Sequence, residues 1–456
     1  MHLFWHRRDL RVVDNVGLAA AADDGTVVSA FVLDSDLLDR LGRRQRAFLL
    51  ASVRRLREAY RDRGSDLLVR RGRPAEALAA LRETLGADTV YYNRHYRPAR
   101  RERARRLAAS LPTSEHVDLV LVDPRDLPPD HPSHGRFRDR WDRQPIPDPR
   151  PAPDPSQLGD VTDGTPVPAV EADIDLPAAG YGAARERYDR FLAEGIHTYA
   201  HTRDDMSRAV AAPALAVSRL SPYLAAGAIG IREVWADATA AHRDATDEAR
   251  RNVGKYRDEL TWREGYYHLL EHEPTLLTEH YEEFPGEMRR ETDPGGVAAW
   301  KAGQTGYPLV DAGMRQLERE GYIHNRPRQV VASFLTKHLL VDWRVGADHF
   351  ADRLVDHDPA NNYGNWQWIA GTGTDTVDVR IFDPVAQMDK YDPEADYVQA
   401  YVPELSDVPA DSAVEWPTLP AAEREGLAPA YPDPIVDRTD AYERAKRCYE
   451  RALGKR

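Results

Sequence analysis

Short apolar runs alternate with longer amphipathic stretches over the first part of the chain. The runs at His2–His6, Val27–Leu33, 66–70, 89–93 and 117–122 have the length and composition of strands. Between them, Leu49, Val53, Leu56 and Tyr60 recur at helical spacing. Leu78, Leu81 and Leu85 do the same, between Pro74 at a helix start and Gly86 at its end. Alternation of this kind predicts an α/β domain over residues 1–130, built on a doubly wound parallel sheet. Its first strand-to-helix turn, Arg7-Arg8-Asp9-Leu10-Arg11, has no glycine, so it cannot form the phosphate-hugging loop of a nicotinamide-type dehydrogenase.

From 124 to 177 prolines recur every few residues among Asp and Arg, and 131–180 is expected to be an interdomain linker that packs little. Beyond Tyr181 helical patterns take over, including 256–270 and 329–340, which predicts an all-α domain over 181–456. No apolar run approaches the roughly eighteen residues that a membrane span needs. Charges within the first fourteen residues leave no apolar core for a signal peptide. The expectation is a cytoplasmic protein, monomeric, with no membrane and no obligate protein partner.

Composition narrows the chemistry. The single cysteine, Cys448, excludes an internal disulfide, a four-cysteine iron-sulfur cluster and a cysteine-rich zinc site, and no metal is expected. The net charge of -13, rich in Asp and poor in Lys, fits a solvating acidic surface and a salt-loving cell. It does not exclude DNA, because the local sign of one groove decides that.

Tryptophan placement is the first pointer to a site. Trp366 and Trp368 lie two apart in Asn361-Asn362-Tyr363-Gly364-Asn365-Trp366-Gln367-Trp368, and residues two apart on a helix point to nearly opposite sides. One ring can then face a cofactor and the other a ligand.

This segment, with His324-Asn325-Arg326-Pro327-Arg328-Gln329, Asp342-Trp343-Arg344, Arg380-Ile381-Phe382-Asp383-Pro384 and Lys390-Tyr391-Asp392-Pro393, resembles the flavin-binding domain of the photolyase/cryptochrome family. Upstream, Ser218-Arg219-Leu220-Ser221-Pro222, Glu259-Leu260-Thr261-Trp262-Arg263-Glu264 and Thr305-Gly306-Tyr307-Pro308 fit the same family, as does the opening Trp5-His6-Arg7-Arg8-Asp9-Leu10-Arg11. The resemblance covers nearly the whole chain outside the proline-rich segment.

It implies a non-covalent flavin adenine dinucleotide (FAD) folded inside the helical domain. Ser218, Arg219, Leu220 and Ser221 match the pyrophosphate contacts, and Tyr199, Tyr256, Arg263, Asn325 and Asp358 match further cofactor contacts. Arg328 and Asp356 match an ion pair beside the isoalloxazine; at about 4 Å and an effective dielectric near 20 its gross attraction is about 4 kcal/mol before desolvation, so it sets the local field more than it stabilises. Asn362 matches the residue facing the redox-active nitrogen, where repair enzymes tend to carry Asn and plant-type sensors Asp.

For the substrate, DNA containing pyrimidine dimers, Glu259 matches the carboxylate that bonds the dimer, and Trp262 and Trp368 the rings that stack on flipped bases. Arg203, Arg326, Gln329 and Gln387 match polar residues at the pocket mouth. The implied activity is light-driven splitting of cyclobutane pyrimidine dimers by an electron from reduced FAD, a carbon-carbon lyase reaction. Trp366 and Trp343 match two members of a reductive tryptophan chain, but the third position falls on Arg290, leaving Tyr281 as a candidate end. Gln329 and the Asn362-Tyr363-Gly364-Asn365-Trp366 run lean toward DASH-type cryptochromes, whereas Trp368 argues against them. Neither Asn325 nor Gln329 is the histidine that repair of (6-4) lesions employs. The rival reading is therefore a DASH-like blue-light receptor. For the antenna chromophore, a deazaflavin is favoured over methenyltetrahydrofolate, because Asn93-Arg94-His95-Tyr96-Arg97-Pro98 lacks the glutamate of folate-type relatives.

Overall fold

The computed structural model describes residues 1–128, 133–374 and 380–455. Five parallel strands, β1 (His2–His6), β2 (Val27–Leu33), β3 (Leu67–Arg71), β4 (Val90–Asn93) and β5 (Thr113–His116), form one sheet in the order β3-β2-β1-β4-β5. Every residue of β2 is buried, as expected of a parallel strand covered on both faces. The covering helices are α1 (Val16–Asp24), α2 (Arg43–Arg61), α3 (Pro74–Leu85) and α4 (Pro98–Ser110). Asn15 caps α1 by accepting from the Leu18 amide at 3.2 Å, and α3 starts on Pro74 and ends on Gly86 in the left-handed region at φ 61°. Strand order reverses between β1 and β4, which opens a crevice at the carboxyl ends of the strands.

Segment 117–122, expected as a strand, is irregular, and the edge strand is Thr113–His116. The cause is a competing acceptor. The Glu264 carboxylate takes the amides of Leu121 and Val122 at 2.6 and 2.9 Å, while Leu119 and Val120 bury against Tyr266, Tyr267 and Leu269. Backbone groups satisfied by a side chain need no sheet partner.

The proline-rich stretch is also ordered, against the expectation that it packs little. It contains α5 (His134–Trp141), whose Trp141 is buried edge-on against Trp235 at 4.9 Å. The arginine face of α2 binds the rest: Arg57 donates to Thr165 O at 2.6 Å, Arg54 to Pro168 O at 2.8 Å, and Arg44 pairs with Asp173 at 2.9 Å. Asp163 accepts from the Val69 amide of β3 at 2.6 Å. Carbonyls and carboxylates anchored by guanidinium groups act beside apolar contacts that Leu158, Val167, Val170, Ile174 and Leu176 make with the core.

The second domain is helical. Its site-forming elements are α6 (Ser221–Ala226), α7 (Asp247–His272), α8 (Pro308–Glu320), α9 (Asn325–Ser333), α10 (Trp343–Arg353) and α11 (Pro359–Ala370). The helix expected over 329–340 ends as α-helix at Ser333 and continues as a π-turn over Phe334–His338. Among the described residues no helix is long and apolar enough to cross a membrane.

A buried charge cluster joins the domains. Arg232 of the helical domain pairs with Asp14 at 2.9 Å and Asp118 at 2.6 Å, and Arg11 with Asp118 at 2.8 Å. Nearby, Gly227 and Gly230 let the chains touch: a Cβ on Gly230 would fall 1.8 Å from Asp14 Oδ2, and one on Gly227 2.0 Å from Arg8 O.

Burial pushes the Glu264 pKa up to about 7, although the amides of Val122 and Leu121 and nearby Arg263 pull it down. A raised folded-state pKa means that stability from this group is full below its ordinary value of 4.5 and is lost as pH rises through about 7. Glu264→Gln keeps a carbonyl oxygen for both amides and removes the charge. The variant is expected to melt a few degrees above the parent at pH 8 and at the same temperature near pH 4. Thermal unfolding followed by circular dichroism across that range checks this, and parallel profiles would refute it.

Candidate active site

A cavity of about 1180 Å³ opens in the helical domain, walled by α6, α7, α9, α10 and α11. Leu224, Phe350, Leu354, Trp366 and Ile369 give it apolar walls. Polar groups reach it from Ser221, Arg263, Asn325, Arg328, Asp356, Asp358 and Asn362, and Gln329 and Trp368 also border it. Ten residues expected at a site from the sequence thus line one cavity.

Caps fix several of them. Asp358 is the N-cap of α11, accepting from the Asn361 amide at 3.0 Å and its side chain at 2.9 Å, and it also accepts from the Tyr267 hydroxyl. Burial acts to raise its pKa, but Arg8, 3.8 Å away, and the bonds from Tyr267 and Asn361 hold it below the ordinary carboxylate value. Most of its acceptor capacity is therefore spent inside the protein. One turn on, Asn362 Nδ2 donates to Ala347 O at 2.9 Å, which fixes the amide orientation and leaves the carbonyl oxygen as its remaining acceptor. Arg328 and Asp356 meet at 3.1 Å, and Arg328 Nε donates to Ile323 O at 2.8 Å.

The mouth is a chain of polar contacts. Glu259 pairs with Arg203 and, at 2.8 Å, with Lys255. Arg326 pairs with Asp204 at 2.9 Å, donates to Gln329 at 2.8 Å and to Gln387 at 3.5 Å, and lies 4.1 Å over the Tyr391 ring. The five polar residues expected at the mouth or on the dimer therefore meet, through Asp204, which lies 3.8 Å from Arg203.

Other expected residues sit elsewhere. Tyr199 and Tyr256 pack edge-on at 5.3 Å in a buried aromatic cluster with Phe191, and Ser218 bonds the Tyr256 hydroxyl. Leu220 is core, and Arg219 pairs with Glu320 at 2.9 Å while covering the cavity residue Tyr322 at 4.4 Å. None of these five is among the residues that line the large cavity. Trp262 lines a smaller neighbouring cavity, with one face stacked on His134 of α5 at 3.4 Å and 10°. Trp368 leans on Phe382 at 6.4 Å under the Arg380 guanidinium. Trp366 is buried against Phe350 and Trp300. Trp343 has Tyr363 as its ring neighbour at 6.1 Å, and Tyr363 donates to Asp348 at 2.8 Å. Tyr281, the candidate end of the aromatic chain, lies instead beside Trp262, with no ring contact to Trp343 among the described residues. Arg290 lies against Tyr449.

Sequence reasoning missed Lys255, Asp204, His134 and Tyr322. Only Lys255 carried a readable cue, its position four residues before Glu259 on one helix.

The DNA photolyase family model matches residues 2–153, and the model of the FAD binding domain of DNA photolyase matches 256–451. A deoxyribodipyrimidine photo-lyase of Halobacterium salinarum is 42% identical over 100% of both chains. The chain belongs to the DNA photolyase family. Family membership extends to the three-dimensional structure: a class III photolyase from Agrobacterium tumefaciens superposes with a TM-score of 0.87 at 32% identity, over 100% of this chain and 98% of that one. A cryptochrome DASH of Natronomonas pharaonis is 34% identical over 95% of this chain and 97% of its own.

The helical domain binds FAD, and the cavity fits it. Its apolar walls suit a flat ring system, the Asn362 carbonyl oxygen suits an N–H at the ring edge, and the Arg328–Asp356 pair offers both a donor and an acceptor.

Asn362→Asp should replace the donor to Ala347 O with a carboxylate facing it. Loss of that buried bond costs about 1 to 3 kcal/mol, so a lower melting temperature is expected above pH 7, with partial recovery at acid pH as the group is protonated. Thermal melts at pH 5 and 8 read the difference.

Proposed function

We propose that this chain splits cyclobutane pyrimidine dimers in DNA, using light and FAD. When bound and reduced, FAD would supply the electron that opens the cyclobutane ring and would take it back once the ring has split. One observation carries the reading. Residues matched to flavin contacts (Asn362, Arg328, Asp356) and residues matched to base contacts (Trp368, Gln329) border the same cavity, so a flipped dimer and the electron source share one enclosure. The Halobacterium relative, named a deoxyribodipyrimidine photo-lyase and 42% identical over the full length of both chains, supports it.

The residues divide the work. Trp368 at the rim offers a ring for stacking, and Trp262, with one face covered by His134, offers its other face. Glu259, on the chain of contacts that leads to Gln329, is placed to hydrogen-bond a carbonyl or N–H edge of the dimer after exchanging its bond with Arg203. Arg326 and Arg203, each paired with a carboxylate, form the polar rim of the mouth. Leu224, Phe350 and Ile369 exclude water from the ring pocket. The protein acts as a monomer in the cytoplasm. An antenna of the deazaflavin kind occupies the crevice of the first domain, where Trp5, Phe31, Leu37, Leu38, Leu49 and Pro74 line a cavity.

The test is illumination of the reduced, FAD-loaded protein with an oligonucleotide carrying one thymine dimer, following recovery of pyrimidine absorbance. Repair is expected in the parent, reduced about tenfold or more in Glu259→Ala and Trp262→Ala. No repair by the parent refutes the function, and full repair by both variants refutes this pocket.

Salt dependence gives a second check. Because Arg203 and Arg326 are already engaged by Glu259 and Asp204, few cations are free to release counterions from phosphate. Dimer affinity should fall with a log–log slope of about 3 or less between 0.2 and 2 M KCl. A slope near 8 would contradict it.

A further inference from the structure

The wall of the large cavity is held in part from outside its own domain. Arg8 lies in the turn after β1, yet all three nitrogens of its guanidinium reach the helical domain. Nε donates to Ala225 O in α6, Nη2 donates to His357 O at 3.4 Å, and Nη1 stands 3.8 Å from Asp358 Oδ2. Ala225 and Asp358 both line the large cavity. A smaller cavity between the domains is bordered by Arg8, Gln45, Arg97, Arg100, Pro222 and His357, and no carboxylate lines it. Among the described residues Arg8 and Asp358 are therefore each other's ion partner. Their side chains are only 8 and 13% exposed, so the pair is weakly screened.

The remaining groups around Asp358 do not replace that charge. The Tyr267 hydroxyl and the backbone and side-chain amides of Asn361 donate to it, and burial keeps the neighbouring His357 uncharged near neutral pH. Arg263 lies over the Tyr267 ring and donates to Leu119 O, while Arg328 is matched by Asp356. Arg97 and Arg100 border the smaller cavity and not the large one.

We propose that Arg8 is a positioning residue of the flavin site, one that holds Asp358 ionised and thereby sets the reduction potential of FAD bound beside it. The inference rests on FAD lying in the large cavity. A carboxylate and a guanidinium together put almost no net charge on the wall, so an electron added to the ring is neither opposed nor favoured there. Without the guanidinium two states remain. Ionised, Asp358 opposes the added electron; protonated, it does not. Burial drives Asp358 toward the protonated form, and Arg8 is the foremost of the groups that resist this.

The experiment is a spectroelectrochemical titration of the FAD-loaded protein between pH 5.5 and 8.5. At pH 8.5 and one fixed ambient potential, the ratio of reduced to oxidised flavin in Arg8→Met is expected to be about tenfold below that of the parent, about 30 mV for a two-electron couple. The deficit should shrink to about twofold at pH 5.5, as Asp358 takes up a proton. Arg8→Lys restores the charge and should stay within about twofold of the parent throughout. Asp358→Asn leaves the guanidinium unpaired and should shift the ratio the opposite way, about tenfold upward, which decides the matter even if Arg8→Met fails to fold. Arg8→Met combined with Asp358→Asn carries neither charge, keeps a residue able to cap α11, and should show no pH step. A merely structural arginine predicts lower melting temperatures with unchanged potentials. That result overturns the proposal, and so does a pH step that persists in the double variant, since it would belong to His357. Failure of the parent to take up FAD overturns the placement of the flavin instead.

Discussion

The arrangement of the two domains depends on one buried ionic knot. Arg232 reaches from the helical domain into a pocket formed by Asp14 and Asp118, and Arg11 closes it from the sheet side. None of these side chains is more than 2% exposed. Two cations and two anions balance, and further bonds from Arg11 to the carbonyls of Asp14 and Gly227 satisfy the remaining donors. Such a cluster adds little net stability over an apolar plug of the same shape, but losing one member leaves a buried charge without a partner. Its effect is geometric. It admits one docking orientation, and glycines at 227 and 230 bring the chains close enough for that orientation to form.

Everything functional is built outward from this joint. The sheet's crevice faces α2 and α4, the interdomain cavity lies against Pro222 and Ala225 near α6, and Ala225 also borders the large cavity of the helical domain. Arg8 spans the boundary, donating to Ala225 O from the turn after β1 and lying within 3.8 Å of Asp358 at the start of α11. The sheet domain thereby helps to position a residue of the cavity wall in its neighbour.

Much of this was legible in the chain. Strands β1 to β4 are apolar runs bounded by helical patterns, and Pro74 and Gly86 mark their helix because their backbone restrictions act locally. The cavity-lining residues were found because motif order is a linear property. What failed was whatever a distant partner decides. Segment 117–122 has strand composition, yet Glu264, more than a hundred positions later, captured its amides. The apolar residues of the proline-rich connector follow no period, and the arginines of α2 hold it besides by polar contacts that composition does not announce. Tyr199 and Tyr256 have aromatic character suited to a cofactor contact or to a core, and their packing on one another is visible only in three dimensions.

His134 belongs to the connector and nevertheless lies flat on Trp262. An indole clamped on one side has a single orientation before any nucleic acid arrives, so the rotamer freedom usually surrendered by a stacking side chain has already been given up during folding. In the stacking role proposed for Trp262, the ordering cost of recognition falls on the nucleotide alone. Damaged bases, already loosened from their neighbours, have least left to lose, which makes a pre-clamped ring a discriminator between intact and broken stacks.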